Sequence, residues 1–193
     1  QAGETDSDGI SIGANALTLN SGTIRDAAGN GATLTHSSVA DNSSYMVDAI
    51  LPTVDSVEIT SATTGMQNNF LNAGDVVSVT ATFSEVVNTT GTPQLTLAVG
   101  SDNRTATYAS GTGSAPLVFQ YRIQAGDNDT DGISIRANAL ALDGGTISDP
   151  AGNNAILTHS AMSDNNSYKV DTTAPTVNSF TISDSLLTIG ETA

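Results

Sequence analysis

The chain repeats itself. Residues 1–48, beginning QAGETDSDGISIGANALTLNSG, return at 124–171 as QAGDNDTDGISIRANALALDGG, an offset of 123 positions (124 against 1) with 32 of the 48 aligned residues identical. The match runs past that block, because Pro52, Val54 and Ile59 recur as Pro175, Val177 and Ile182. A long internal period constrains the architecture before any local reading, since every copy must satisfy the same fold. One unit of about 123 residues is the size of a single β-sandwich domain. The expected division is therefore residues 1–48 as the C-terminal part of a preceding unit, 49–171 as a complete unit, and 172–193 as the N-terminal strand or strands of a following one. The chain reads as an excerpt of a longer array whose partners are neighbouring repeats of the same chain. Incomplete terminal units are expected to be disordered or to self-associate by borrowing strands from another molecule.

Within 49–171 the hydrophobic period is two. Strands are expected at 54–60, 76–83, 94–99, 104–108, 117–123, 133–142, 155–159 and 167–170; Leu117, Phe119, Tyr121 and Ile123 give the cleanest alternation. Turn formers separate them: NAGD at 72–75, TGTP at 90–93, SGTGS at 110–114, DGG at 143–145 and PAGN at 150–153. Short strands at roughly ten-residue spacing predict an all-β fold of tandem antiparallel Ig-like β-sandwiches, about 123 residues per repeat. A short helix over 136–142 (RANALAL) is the competing local reading, because Ala and Leu are good helix formers.

Charge narrows the function. Twenty Asp and Glu face five Lys and Arg, for a net charge of −15, and the chain has no Cys or Trp. Nucleic acid is excluded as a partner, because phosphate binding needs clustered cations to displace counterions. Disulfides and thiol chemistry are excluded. No apolar run reaches the length that a membrane-spanning helix requires, so membrane insertion is not expected. No secretion-signal pattern opens the sequence.

The acids cluster with Asn and Gly. Asp127, Asp129 and Asp131 form DNDTDG and recur as Glu4, Asp6 and Asp8 in ETDSDG. Alternate carboxylates followed by Gly can curl around a hard cation. An EF-hand is excluded, since its twelfth position is Asn138 rather than Glu and no flanking helices are credible. A second cluster, Asp149-Pro-Ala-Gly-Asn153, recurs as Asp26-Ala-Ala-Gly-Asn30, and a third, Asp171-Thr-Thr-Ala-Pro175, has the counterpart Asp48-Ala-Ile-Leu-Pro52 between units. The prolines make that junction short and stiff. Glu85, in Phe-Ser-Glu, is placed where a strand is expected to end. Carboxylates so poor in nearby Lys and Arg repel one another unless a cation neutralises them, and Ca2+ suits them because it accepts six to eight oxygens in flexible geometry. Solvated turns are the plain alternative, since Asp, Asn and Gly are ordinary turn residues.

The combination of FSE, DxxGN and a DxTAP junction repeated over a hundred residues or more resembles the bacterial immunoglobulin-like and cadherin-like repeats of giant secreted, biofilm-associated surface adhesins. The resemblance covers essentially the whole chain. It implies an extracellular location on a bacterial cell surface, and a structural extender role in a long fibre or filament that holds an adhesive tip away from the cell. It also implies calcium where units meet, with Glu85, Asp149, Asn153 and Asp171 as ligands. The glycine-rich calcium nonapeptides of type I-secreted proteins are absent from the sequence.

No catalytic constellation stands out, and no enzyme activity is expected. His36 and His159 occupy the same Leu-Thr-His-Ser context in expected strands, where a structural role is the simpler reading, and no nucleophile elbow surrounds a serine. Five Asn-x-Ser/Thr acceptors occur, as expected in a chain rich in Asn and Thr. Two other functions stay open: a calcium-dependent module recognising a surface glycan or peptide, and a filament subunit that exchanges strands. Against the first, four Phe, four Tyr and no Trp leave few stacking platforms.

Overall fold

The computed structural model describes residues 3–62 and 66–181, so Ile182 and the rest of the expected third fragment lie outside the described residues. Among the described residues every regular element is a strand. The short elements β1 (Thr5–Asp6), β2 (Ile10–Ile12), β3 (Val39–Asn42) and β4 (Val47–Asp48) come first. They are followed by β5 (Val54–Ala62), β6 (Phe70–Leu71), β7 (Val76–Thr90), β8 (Gln94–Val99), β9 (Asp102–Ser110) and β10 (Ser114–Arg122). Four short strands close the series: β11 (Asn128–Asp129), β12 (Leu140–Ala141), β13 (Thr146–Ser148) and β14 (Lys169–Asp171). Pairing is antiparallel except between β14 and β6. Residues 136–142 are not helical, and no described helix is long and apolar enough to cross a membrane.

The largest sheet runs β12-β8-β9-β10-β7-β13, with β5 also paired to β7. Its strands form because β-branched and aromatic residues alternate with Ser, Thr and Gln, which buries one face and wets the other. Val77, Val79, Ala81 and Phe83 of β7 meet Leu117, Phe119 and Tyr121 of β10, and Tyr108 of β9 sets its ring edge-on to Phe119, centroids 6.1 Å apart. Leu95 and Leu97 of β8 and Val57 and Ile59 of β5 extend the same cluster, and Ile133, Ile135, Leu140, Ile147 and Val170 close it from the later half of the chain. Every buried hydrophobic side chain among the described residues lies between Val54 and Val170.

Three expectations need correction. Residues 133–142 and 155–159 are not continuous strands: only Leu140–Ala141 is, with isolated bridges at Ser134, Ile135 and Ile156. Their polar side chains take over the work of a ladder. Asn138, at φ +57°, donates its backbone N–H to His159 O (3.2 Å), and its Oδ1 accepts the His159 N–H (3.1 Å). His159 Nε2 accepts the Ala139 N–H (2.8 Å) while Nδ1 lies 2.7 Å from Ser160 O, an arrangement that requires the Nδ1–H tautomer. The two histidines are therefore in irregular segments, with His159 built into the backbone scaffold. Finally, β7 does not stop near Phe83 but continues to Thr90.

Residues 3–48 repeat the local structure of 126–171. Asp6 accepts the Gly9 N–H at 2.7 Å as Asp129 accepts the Gly132 N–H at 2.7 Å, and the β1–β4 pair (Thr5 opposite Asp48) matches the β11–β14 pair (Asn128 opposite Asp171). Burial differs: Ile147 is 2% exposed and its counterpart Ile24 is 46% exposed. Ile147→Ala is expected to cost about 2–5 kcal/mol by removing packed methyls, and Ile24→Ala less than about 0.5 kcal/mol, as read by urea denaturation of the two variants.

Candidate metal site

Strand β7 is the element that builds the site. It pairs with β10 from Val76 to Thr82 and with β13 from Asn88 to Thr90, and between these stretches its register with β10 jumps from Thr82 opposite Pro116 to Val87 opposite Ser114. Such irregularities bend a strand and re-aim its side chains. Phe83 enters the core from this crossing segment, and Glu85 stands half-buried two residues later. Because Asn88 lies opposite Ser148, the β13 end delivers Asp149 to the same place.

The Asp149 loop folds on its own hydrogen bonds. Asp149 Oδ1 accepts the Asn153 backbone N–H (2.8 Å), and Oδ2 accepts Asn153 Nδ2 (2.7 Å). The copy at Asp26 and Asn30 makes the same two bonds at 2.8 Å each while fully exposed, so the DxxGN sequence suffices for this turn. Asn153 Nδ2 also donates to the backbone O of Asp48, 3.0 Å away and 105 residues earlier. The linker after Asp48 is held further along. Ser84 N–H donates to Thr53 O (2.8 Å), Ser84 Oγ accepts the Thr53 N–H (3.0 Å), and Ile156 N–H donates to Pro52 O (2.8 Å).

These contacts bring Asp48, Glu85 and Asp149 together. Among the described residues this is the group of three acids whose ligand atoms, one from each, all lie within 4.8 Å of one another. Asp149 is buried, Glu85 half-buried and Asp48 exposed. Burial, then the charges of Asp48 and Asp149, push the Glu85 carboxyl above its ordinary range. Burial opposes ionisation of Asp149 too, but the donors on Asn153, Gly152 and Ala151 outweigh it and hold that carboxyl low. The ion pairs among the described residues run from Arg104 to Asp102 and Asp127, away from this cluster. Three oxygen donors of this kind could hold a metal ion, with solvent access on the Asp48 side. Beside them opens a groove of about 830 Å³ walled by Met46, Val47, Ile50, Val86, Pro150 and Ala151.

The other expected ligands are placed differently. Asp127 is buried, its Oδ1 accepting from Arg104 Nε (2.7 Å) and its Oδ2 from Tyr121 Oη–H (2.6 Å) and the Gln124 N–H (2.8 Å). Asp129 is buried and accepts the N–H groups of Gly100 and Gly132, both at 2.7 Å, while Asp131 is exposed. The glycine of this motif also serves close packing: at φ +108° a Cβ on Gly132 would overlap the carbonyl of Asn165. Asp6 keeps the equivalent Gly9 contact, with Glu4 and Asp8 exposed nearby. Asp26 and Asn30 pair with each other, and Asp171 caps Thr173 N–H at 2.9 Å. Asn153 enters the site as a hydrogen-bond donor through Nδ2.

Spacing alone gives Ser84, Arg104 and Tyr121 no role beyond their expected strand or motif. Ser84 sits inside the FSE motif, and Arg104 is one of only five cationic side chains, which marks it as the natural partner of a buried acid. No protein-family model, curated protein or solved structure matches this chain.

Burial raises the Tyr121 hydroxyl to about 12, with its bond to Asp127 adding to the shift. Asp127 itself feels burial as the largest influence, yet the Tyr121, Gln124 and Arg104 donors together draw it below its ordinary 3.8. A depressed carboxyl stabilises the fold above its unfolded pKa, and that stabilisation is lost as the pH falls through the folded value. Asp127→Asn is therefore expected to cost about 1–3 kcal/mol at neutral pH and to flatten the decline of melting temperature below about pH 4, as measured by thermal melts across pH 2–7.

Proposed function

We propose that this chain is a structural segment of a long extracellular surface fibre of the bacterial adhesin type, in which Ig-like sandwich units are stiffened by calcium where successive units meet. The observation that carries this reading is the convergence of Asp48, Glu85 and Asp149. Asp48 ends β4, the last strand of the first repeat fragment, whereas Glu85 and Asp149 belong to the residues that follow. An ion shared among them would tie the two together at the one place where the backbone passes between them. Repetition supports the same idea: Asp171 stands 123 positions after Asp48 and ends β14 as Asp48 ends β4. The antiparallel all-β architecture and the passage of β7 from one set of partners to another also suit a sandwich, where strands commonly change sheets at bulges.

Calcium would act electrostatically. It would offset the burial and the repulsion from Asp48 and Asp149 that raise Glu85, and fix the linker already held by Asn153 and Ser84. Extracellular calcium modules bind with dissociation constants of roughly 10⁻⁴ to 10⁻³ M, so millimolar external calcium would load the site and cytosolic levels would not. At a hundredfold excess over its dissociation constant one ion stabilises the fold by about 2.7 kcal/mol.

Calorimetry and small-angle scattering in calcium and in EGTA test the proposal. The melting temperature is expected to rise in calcium and the distribution of interatomic distances to lengthen and sharpen. Glu85→Gln should abolish both responses while melting no lower than the parent in EGTA, because it removes a repelled charge. A parent protein indifferent to calcium in both measurements would defeat the reading.

A further inference from the structure

Residues 3–48 carry a sheet-forming apolar face whose counterpart, 120-odd residues later, is core. Ile10, Ile12, Leu17 and Ile24 are 50, 48, 51 and 46% exposed, whereas Ile133, Ile135, Leu140 and Ile147 at the same repeat positions are 0, 1, 6 and 2% exposed. The two segments share their turn geometry, with a φ of +107° at Gly9 and +108° at Gly132 and the Asn15–His36 bond of 3.1 Å matching Asn138–His159 at 3.1 Å. What sets their burial apart is the covering layer. In the later segment it is β5 and β7 to β10, residues 54–123, whose buried side chains make one cluster with Ile133, Ile135, Leu140 and Ile147.

We infer that the apolar face of residues 3–48 is a docking surface for a front half of this same repeat type, a β-sheet segment with the apolar alternation of residues 54–123. The duplicated interface identifies the occupant. With 32 of 48 residues shared between the two segments, and identities at all four of these core positions, a surface that accepts one copy of the front half accepts the other. A second molecule of this chain is not that occupant. The front half at residues 54–123 is already engaged by residues 124–171 of its own molecule, which are covalently attached and so present at high effective concentration. The occupant must therefore be a front half without a rear segment of its own. An isolated set of short strands with an exposed apolar face gains little stability until such a layer covers it.

The test joins an additional copy of residues 49–123 directly to Gln1, which reproduces the native connection of residue 123 to residue 124. Hydrogen exchange is followed in the unmodified and the extended chain. Residues 10–47 are expected to exchange about tenfold more slowly or better in the extended chain, with dye binding to exposed apolar surface reduced. Introducing Ile10→Asp together with Ile24→Asp should cancel that protection in the extended chain and leave exchange of residues 54–171 unchanged in both, which is the internal control for folding. Equal exchange of residues 10–47 with and without the added half overturns the inference. So does light scattering that finds the unmodified chain dimeric with residues 10–47 already protected, since a second molecule would then be the occupant.

Discussion

The structure depends on a strand that changes partners. Over its first seven residues β7 is an ordinary inner strand, flanked by β5 and β10 and burying Val77, Val79 and Ala81. Over its last three it belongs to β13. In the segment between, Phe83 still pairs with Val54 and Val87 with Ser114, while the Ser84 N–H turns to Thr53 O in the linker. That compromise fixes three things together: Phe83 in the core, Ser84 on the linker, and Glu85 beside Asp149. A continuous ladder along all of β7 would have left Glu85 opposite a strand rather than opposite two other carboxylates.

The acidic residues divide into two physical classes. Asp127, Asp129 and the DxxGN aspartates have donors aimed at both oxygens and act as backbone organisers; at the buried Asp127 and Asp149 those donors outweigh burial, whereas at Asp129 burial prevails and raises the carboxyl. Arg104 and Tyr121 reach Asp127 from neighbouring strands, so one buried carboxylate ties β9 and β10 to the loop before β11. Asp48 and Glu85 are different. They are brought close by tertiary structure, and the field around Glu85 is negative. Asp149 belongs to both classes, satisfied by Asn153 on one side and facing Glu85 and Asp48 on the other.

Local pattern made the front half legible. The alternation in 54–60, 76–83, 94–99 and 117–123 is unambiguous, and strands stand there. Two things escaped it. Residues 133–142 and 155–159 have apolar spacing compatible with strands, but Asn138 and His159 replace ladder bonds with side-chain bonds, and a left-handed Asn is invisible to periodicity. The polar pair Ser84-Glu85 breaks the alternation of β7 and so resembles a strand end, when it marks a change of partner. Among thirteen candidate ligands, convergence of Asp48, Glu85 and Asp149 could not be read from spacing, because it rests on pairings between residues separated by 56 to 105 positions. The repeat indicated which types recur; the register decided which ones meet.

The attachment of the linker has a mechanical corollary. Tension entering through Asp48 does not arrive at a single terminal residue of β5. It meets hydrogen bonds from Asn153 and Ile156, both in the irregular stretch after β13, and from Ser84 in β7. Bonds loaded side by side must fail together, whereas bonds loaded in series open one after another like a zip. Where a pull loads the bonds at Asp48, Pro52 and Thr53 together rather than in turn, hydrogen bonds of ordinary strength give the entry point of the chain a resistance to extension that none of them has alone.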